Sequence, residues 1–191
     1  MIEREEIETV FKEMLDLIED ATLREKVVDA WMHGIEQGGW ESVDQLRQMP
    51  FTLQVDTRGV NFIEHTLAVT KSAVGIATSQ RAHYAKMPYV VDMDRLVAGA
   101  LLHDVGKLRE FERQPDGSHA QSRNGRLERH PISGALLAAE AGLPDEIVNM
   151  IACHAKEGEG RAQVVETVFV HQADFATFNP LVMMSEGKLI Q

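Results

Sequence analysis

Apolar residues recur at helical spacing along most of the chain. Near the start, Ile7, Val10, Phe11, Met14, Leu17 and Ile18 form one stripe between acidic residues and predict a helix over about 2–19. Val27, Val28, Trp31 and Ile35 predict a second helix over about 21–37, ended by Gly38-Gly39. A short helix follows from Ser42, and Pro50 punctuates the chain. Asn61-Phe-Ile-Glu64 has the form of a capping box and starts a helix that runs to about 80. Asp92 or Asp94 can cap the next, through about 104. Residues 111–129 are polar, with two glycines and a proline, and predict a long loop. Pro131 suits the first turn of a helix over about 131–141, which Gly142 terminates. Further helices are expected over about 144–155 and 162–178. Strand-type alternation is nearly absent, residues 52–55 being the weak candidate. The pattern predicts an all-α protein: one helical domain over about 51–191, with a helical extension over about 1–50 packed on it.

The bulk properties narrow the function. A chain of 191 residues can bury a substantial core, and 44% hydrophobic with 26% charged residues is ordinary for a globular protein. The apolar runs fall short of the roughly 18 residues that span a bilayer, so no membrane partner is expected. The acidic start, MIEREEIETV, has neither a basic n-region nor an apolar h-region, and Cys153 has no second cysteine to pair with. Both features fit a reducing cytoplasm. A net charge of −11 argues against extended nucleic acid as a partner. It leaves a small anionic substrate open if positive charge is concentrated locally.

The chemistry lies in His65, His103-Asp104, His130, His154 and Asp174. His65 sits on the face that carries Phe62 and Val69. Leu96, Val97, Ala100 and Leu101 form a stripe whose next turn is His103 and Asp104. Ile147, Val148 and Ile151 lead to His154, and in the last helix Asp174 follows His171 at i, i+3. A core histidine satisfied by a backbone carbonyl is the alternative for any one of them. A buried carboxylate without a cation is costly, however. Imidazole and carboxylate together suit Fe, Mn, Zn, Ni or Co. Spacing alone therefore favours metal.

His103-Asp104-Val105-Gly106-Lys107 resembles the signature of the HD-domain superfamily of metal-dependent phosphohydrolases, in its HDxGK form. The rest of that family's order is present over about 58–178: the upstream His65, the pair, His130-Pro131 followed by Gly134, then His154 and Asp174. The resemblance implies that His65, His103, Asp104 and Asp174 ligate a first divalent ion. His130 and His154 are similar to the extra ligands of two-metal members, with Asp104 as the bridge. It thus implies two divalent ions (Fe, Mn, Ni, Co, Zn or Mg) and a hydroxide between them as nucleophile. The Gly-Tyr-Pro stretch of the HD-GYP branch is missing after His154, and that branch's His-His-Glu is Cys153-His154-Ala155 here. Degradation of cyclic di-GMP is accordingly not expected.

Asp104 and Lys107 are the expected catalytic residues, with Lys107 one turn beyond Asp104 and within reach of a substrate anion. Arg126, Arg129, Lys156 and Arg161 concentrate positive charge around the extra histidines, and His171 either supports the site or lines it. The expected activity is hydrolysis of a nucleotide or another small phosphate ester. The same ligand set also resembles mixed-valent di-iron oxygenases that cleave C–C or C–P bonds, and a non-catalytic nucleotide-binding sensor is a third reading. His33, His83 and His119 are expected at the surface, Cys153 as a buried small hydrophobe, and Trp31 and Trp40 as packing anchors. The stripe of the first helix either covers its own domain or forms a homodimer.

Overall fold

The computed structural model describes residues 2–159 and 161–190. It is a helical assembly: α1 (Arg4–Leu15), α2 (Ala21–Gly38), α3 (Val43–Gln48), α4 (Phe62–His83), α5 (Met93–Leu102), α6 (Lys107–Glu110), α7 (Arg123–Leu127), α8 (His130–Glu140), α9 (Asp145–Cys153) and α10 (Val165–Ser185). A two-stranded hairpin, β1 (Phe111–Arg113) and β2 (His119–Gln121), lies between α6 and α7. Among the described residues the fold is all-α but for this hairpin.

The helix starts follow local chemistry. Asn61 Oδ1 accepts from Glu64 N–H at 3.0 Å and Glu64 Oε2 from Asn61 N–H at 3.1 Å, completing the expected capping box. Asp92 caps α5 through Arg95 N–H at 3.0 Å. Asp94 instead accepts from the backbone N–H groups of Glu19 and Asp20, tying the α1–α2 turn to α5.

Four expectations are corrected. The first helix ends at Leu15 rather than near 19, because i→i−3 bonds from Leu17 and Ile18 tighten its exit. That turn drops Ile18 into the core and leaves Leu17 exposed. Residues 111–129 are not a plain loop: Phe111 pairs with Gln121 and Arg113 with His119, and Ser122 then caps α7. The last helix runs through Pro180 to Ser185 instead of stopping near 178. Residues 52–55 form no strand; the nearby pairing is an isolated bridge between Pro50 and Asn61.

The core has two parts. The larger joins Ile7, Phe11 and Met14 of α1 and Trp31 of α2 to Leu101, Leu137 and Ile151, so the stripe of the first helix covers its own chain. The smaller joins Val69 and Ala73 of α4 to Leu96, Met150, Phe169 and Ala173. Trp31 Nε1 donates to Leu101 O at 3.2 Å and Trp40 Nε1 to Leu108 O at 2.8 Å. Through these bonds α2 and the segment after it brace the stretch from α5 to α6 that carries His103, Asp104 and Lys107.

Two glycines of the signature region serve close packing. A Cβ on Gly106 would collide with the His130 carbonyl oxygen and the Gly134 nitrogen. One on Gly134 would sit 2.9 Å from Ile151 Cγ2. Their bareness lets the start of α8 press against the Asp104–Lys107 turn.

Candidate metal centre

Each inward imidazole is aimed by a bond at its outer nitrogen. His103 caps the C-terminal end of α5 and His154 that of α9. Each donates Nδ1–H to the carbonyl three residues back, Ala100 O or Ile151 O, at 2.7 Å. One bond satisfies an orphan helix-end carbonyl and locks a ring. His65 Nδ1 lies 3.1 Å from Thr177 Oγ1, whose hydroxyl donates to Asp174 O, so the hydroxyl accepts from the ring. His130 Nδ1 lies 2.7 Å from Glu110 Oε2. Carbonyl and ionised carboxylate oxygens accept only, so the ring hydrogen sits on Nδ1 in each case. While the rings are neutral, four Nε2 lone pairs then face inward.

They converge on Asp104. Its Oδ2 lies 3.2 Å from His65 Nε2 and 3.4 Å from His103 Nε2. Its Oδ1 lies 3.3 Å from His130 Nε2 and 3.6 Å from His154 Nε2. Asp174 Oδ1 is 3.2 Å from His65 Nε2. Two sets, His65–His103–Asp104 and Asp104–His130–His154, each bring one ligand atom per residue within 4.8 Å of the others, all buried. Asp104 Oδ1 and His154 Nε2 are buried without a hydrogen-bond partner. Lone pairs facing lone pairs in a dry interior call for a cation, and this nitrogen–oxygen donor set fits divalent transition metals.

The electrostatics favour ionised carboxylates beside a neutral His130. Burial alone would raise the Asp104 carboxyl, but the Lys107 ammonium and the His103 ring outweigh it and hold it well below the usual carboxylate range. Burial also opposes ionisation of Asp174, and the bond from His65 overrides it, holding the group at about 2. Desolvation works against a charged His65, yet Asp104 and Asp174 raise it. At His130 desolvation prevails over Glu110 and lowers the ring.

Beside these residues lies a cleft of about 660 Å³. Lys107, Arg129, His130, Lys156 and Asp174 line it, facing Phe51, Leu53, Phe175 and Phe178. Lys107 is 8% exposed; its Nζ is 2.5 Å from Asp104 Oδ2 and 5.7 Å from the Phe51 ring centre. Phe51 stacks on His65 at 4.1 Å and shields that face of the imidazole.

The other expected substrate contacts divide. Arg129 and Lys156 line the cleft. Arg126 is exposed and turns back to Gln121 O at 3.3 Å, and Arg161 is exposed outside the lining. Proximity in sequence to the histidines did not carry either into the cleft. His171 does not line it; its Nδ1–H donates to His154 O at 2.6 Å, so it holds the backbone of His154 from behind. His83 is exposed, but His33 and His119 are half-buried, His119 stacking on Trp40 at 6.0 Å. Cys153 is buried, and desolvation pushes its thiol up. Glu110, Thr177 and Phe51 were not picked out from the sequence, because their partners are remote along the chain.

Comparison with known proteins places this geometry in a family. The HD domain model matches residues 62–176. Over 167 residues, 85% of this chain, it is 28% identical to dihydroneopterin 2′,3′-cyclic phosphate phosphodiesterase of Methanocaldococcus jannaschii. Over 116 residues, 61% of this chain, it is 32% identical to ribonuclease Y of Pseudothermotoga lettingae. The matched regions span 66% and 18% of those relatives' own lengths. No solved structure matches the chain significantly. The family model covers more than half of the sequence and contains every inward histidine and both carboxylates, and on that match the chain belongs to the HD domain family.

Proposed function

We propose that the protein is a metal-dependent hydrolase of phosphate esters, a phosphohydrolase or phosphodiesterase, acting on a nucleotide or another small ester. The observation that carries this is the split of Asp104: one oxygen faces His65 and His103, the other His130 and His154. That arrangement suits two ions sharing a carboxylate. His65, His103, Asp104 and Asp174 would hold the first, and Asp104, His130 and His154 the second. Divalent ions there would supply Lewis acidity and make water a nucleophile near neutral pH.

The chain's own groups do the rest. Lys107, at the floor of the cleft, offers an ammonium to a non-bridging phosphoryl oxygen. Arg129 and Lys156 draw the anion in, against a molecule whose net charge is −11. Phe51 keeps water from the face of His65.

The cyclic phosphate in the name of the Methanocaldococcus relative supports a phosphodiester over a monoester. The ribonuclease name favours RNA, but the acidic surface and a local rim of positive charge favour a small substrate. Soluble assay of cyclic diesters, linear diesters and monoesters with Mn, Co, Ni, Fe and Mg tests the reading. Turnover that disappears in Asp104→Ala supports it. Its absence with every ion, in protein that holds metal, contradicts it.

A further inference from the structure

The start of α8 receives its cap from another element. Its own N-cap residue, Arg129, makes no side-chain cap bond. Glu110, at the end of α6, supplies the missing acceptor: its Oε2 takes the His130 backbone N–H at 2.8 Å. The same oxygen takes His130 Nδ1–H at 2.7 Å, while Oε1 lies 3.0 Å from Arg129 Nε. Glu110 is 5% exposed, so this carboxylate does not exchange freely with water.

One oxygen thus grips both the backbone and the ring of His130. The carboxylate accepts only, so the ring hydrogen stays on Nδ1 and the Nε2 lone pair points to Asp104 Oδ1, 3.3 Å away. The other inward imidazoles are aimed differently. His103 and His154 use carbonyls of their own helices, and His65 a threonine hydroxyl. A side-chain change at position 110 therefore reaches His130 without touching the supports of the other three.

We propose that Glu110 is a positioning residue that fixes the tautomer and aim of His130, and so sets the affinity of the second ion position, Asp104–His130–His154, independently of the first. This rests on the two-ion reading above. A carboxylate holding the outer nitrogen of a ligand imidazole is worth about tenfold to a hundredfold in metal affinity.

The test uses the full chain and Glu110→Gln. Glutamine keeps the size and one acceptor but can also present N–H to the ring, so the tautomer is no longer enforced. Manganese(II) alone is titrated into wild type and variant, with stoichiometry from elemental analysis. The His130 tautomer is read by long-range 15N–1H NMR of the metal-free proteins. The expected result is two ions in wild type, a second-ion affinity lower by about tenfold to a hundredfold in the variant, and an unchanged first-ion affinity. His130 should move from the Nδ1–H form to a mixture. General loosening of the fold would weaken both ions together, with the tautomer unchanged, and would overturn the role. So would a second-ion affinity equal to wild type. A wild type that holds one ion would overturn the two-ion reading itself, and the role of Glu110 with it.

Discussion

Lys107 Nζ lies 2.5 Å from Asp104 Oδ2, the same oxygen that faces His65 and His103. A buried ammonium on this carboxylate would repel a divalent ion held there and would at the same time offer a bond to an anionic ester. Lys107→Met should therefore bind its first ion more tightly than wild type, with unchanged stoichiometry. Its kcat/KM should fall by about tenfold to a hundredfold, the cost of one charge-assisted hydrogen bond. Metal titration and steady-state kinetics on the same sample check both. Weaker metal binding, or unchanged kcat/KM, would contradict the role.

Gly106 and Gly134 meet where α8 presses on the Asp104–Lys107 turn. Gly106→Ala places a methyl group against the His130 carbonyl oxygen and should destabilise the fold by about 1–3 kcal/mol, the usual cost of overpacking. Because His130 must move, second-ion affinity should fall as well. Urea unfolding and manganese titration read these out, and an unchanged midpoint would contradict the packing argument.

How much of this was legible in the sequence depends on how local the cause is. The Asn61–Glu64 capping box was readable because both partners lie within one turn. Most of the candidate ligands were readable because they lie on or end an apolar helical row; His130, ahead of Pro131, was readable only through the family resemblance. The hairpin was not, since strands of three residues give no alternation to detect. The exit of α1 was missed because Leu17 and Ile18 keep the helical spacing although the backbone has left the helix. Glu110 looks like one more charge in Lys107-Leu-Arg-Glu110, and its partner His130 lies 20 residues away. Arg126 and Arg161 show the reverse case: both are close in sequence to the histidines, yet neither lines the cleft, and Arg126 turns back to Gln121.

The acid limb of stability carries a signature of Glu110. Burial alone would raise its carboxyl, but the two donors of His130 and the Arg129 guanidinium outweigh it and hold it below the ordinary 4.5. A depressed folded value means stability that is fully present above the ordinary value, which the unfolded chain keeps. That stability is lost as pH falls through the lower folded value. Metal-free Glu110→Gln should thus be less stable than metal-free wild type at pH 7, with the gap closing below about pH 4. Denaturant unfolding across this range is the check; a gap independent of pH would contradict it.

Hydrolysis consumes water, whereas the oxygenase reading requires dioxygen. Turnover of a phosphate ester should therefore be equal in aerobic and strictly anaerobic assays, with manganese in place of iron. Loss of turnover on removing dioxygen would move the protein to the oxygenase reading. Metal and nucleotide binding without turnover in either atmosphere would leave the sensor.

If Asp104 joins two ion positions, its loss should empty both. Elemental analysis of purified wild type and Asp104→Ala, each with a check of folding, measures this directly. Two divalent ions per chain are expected in wild type and none in the variant. Equal metal content in the two folded proteins would contradict it.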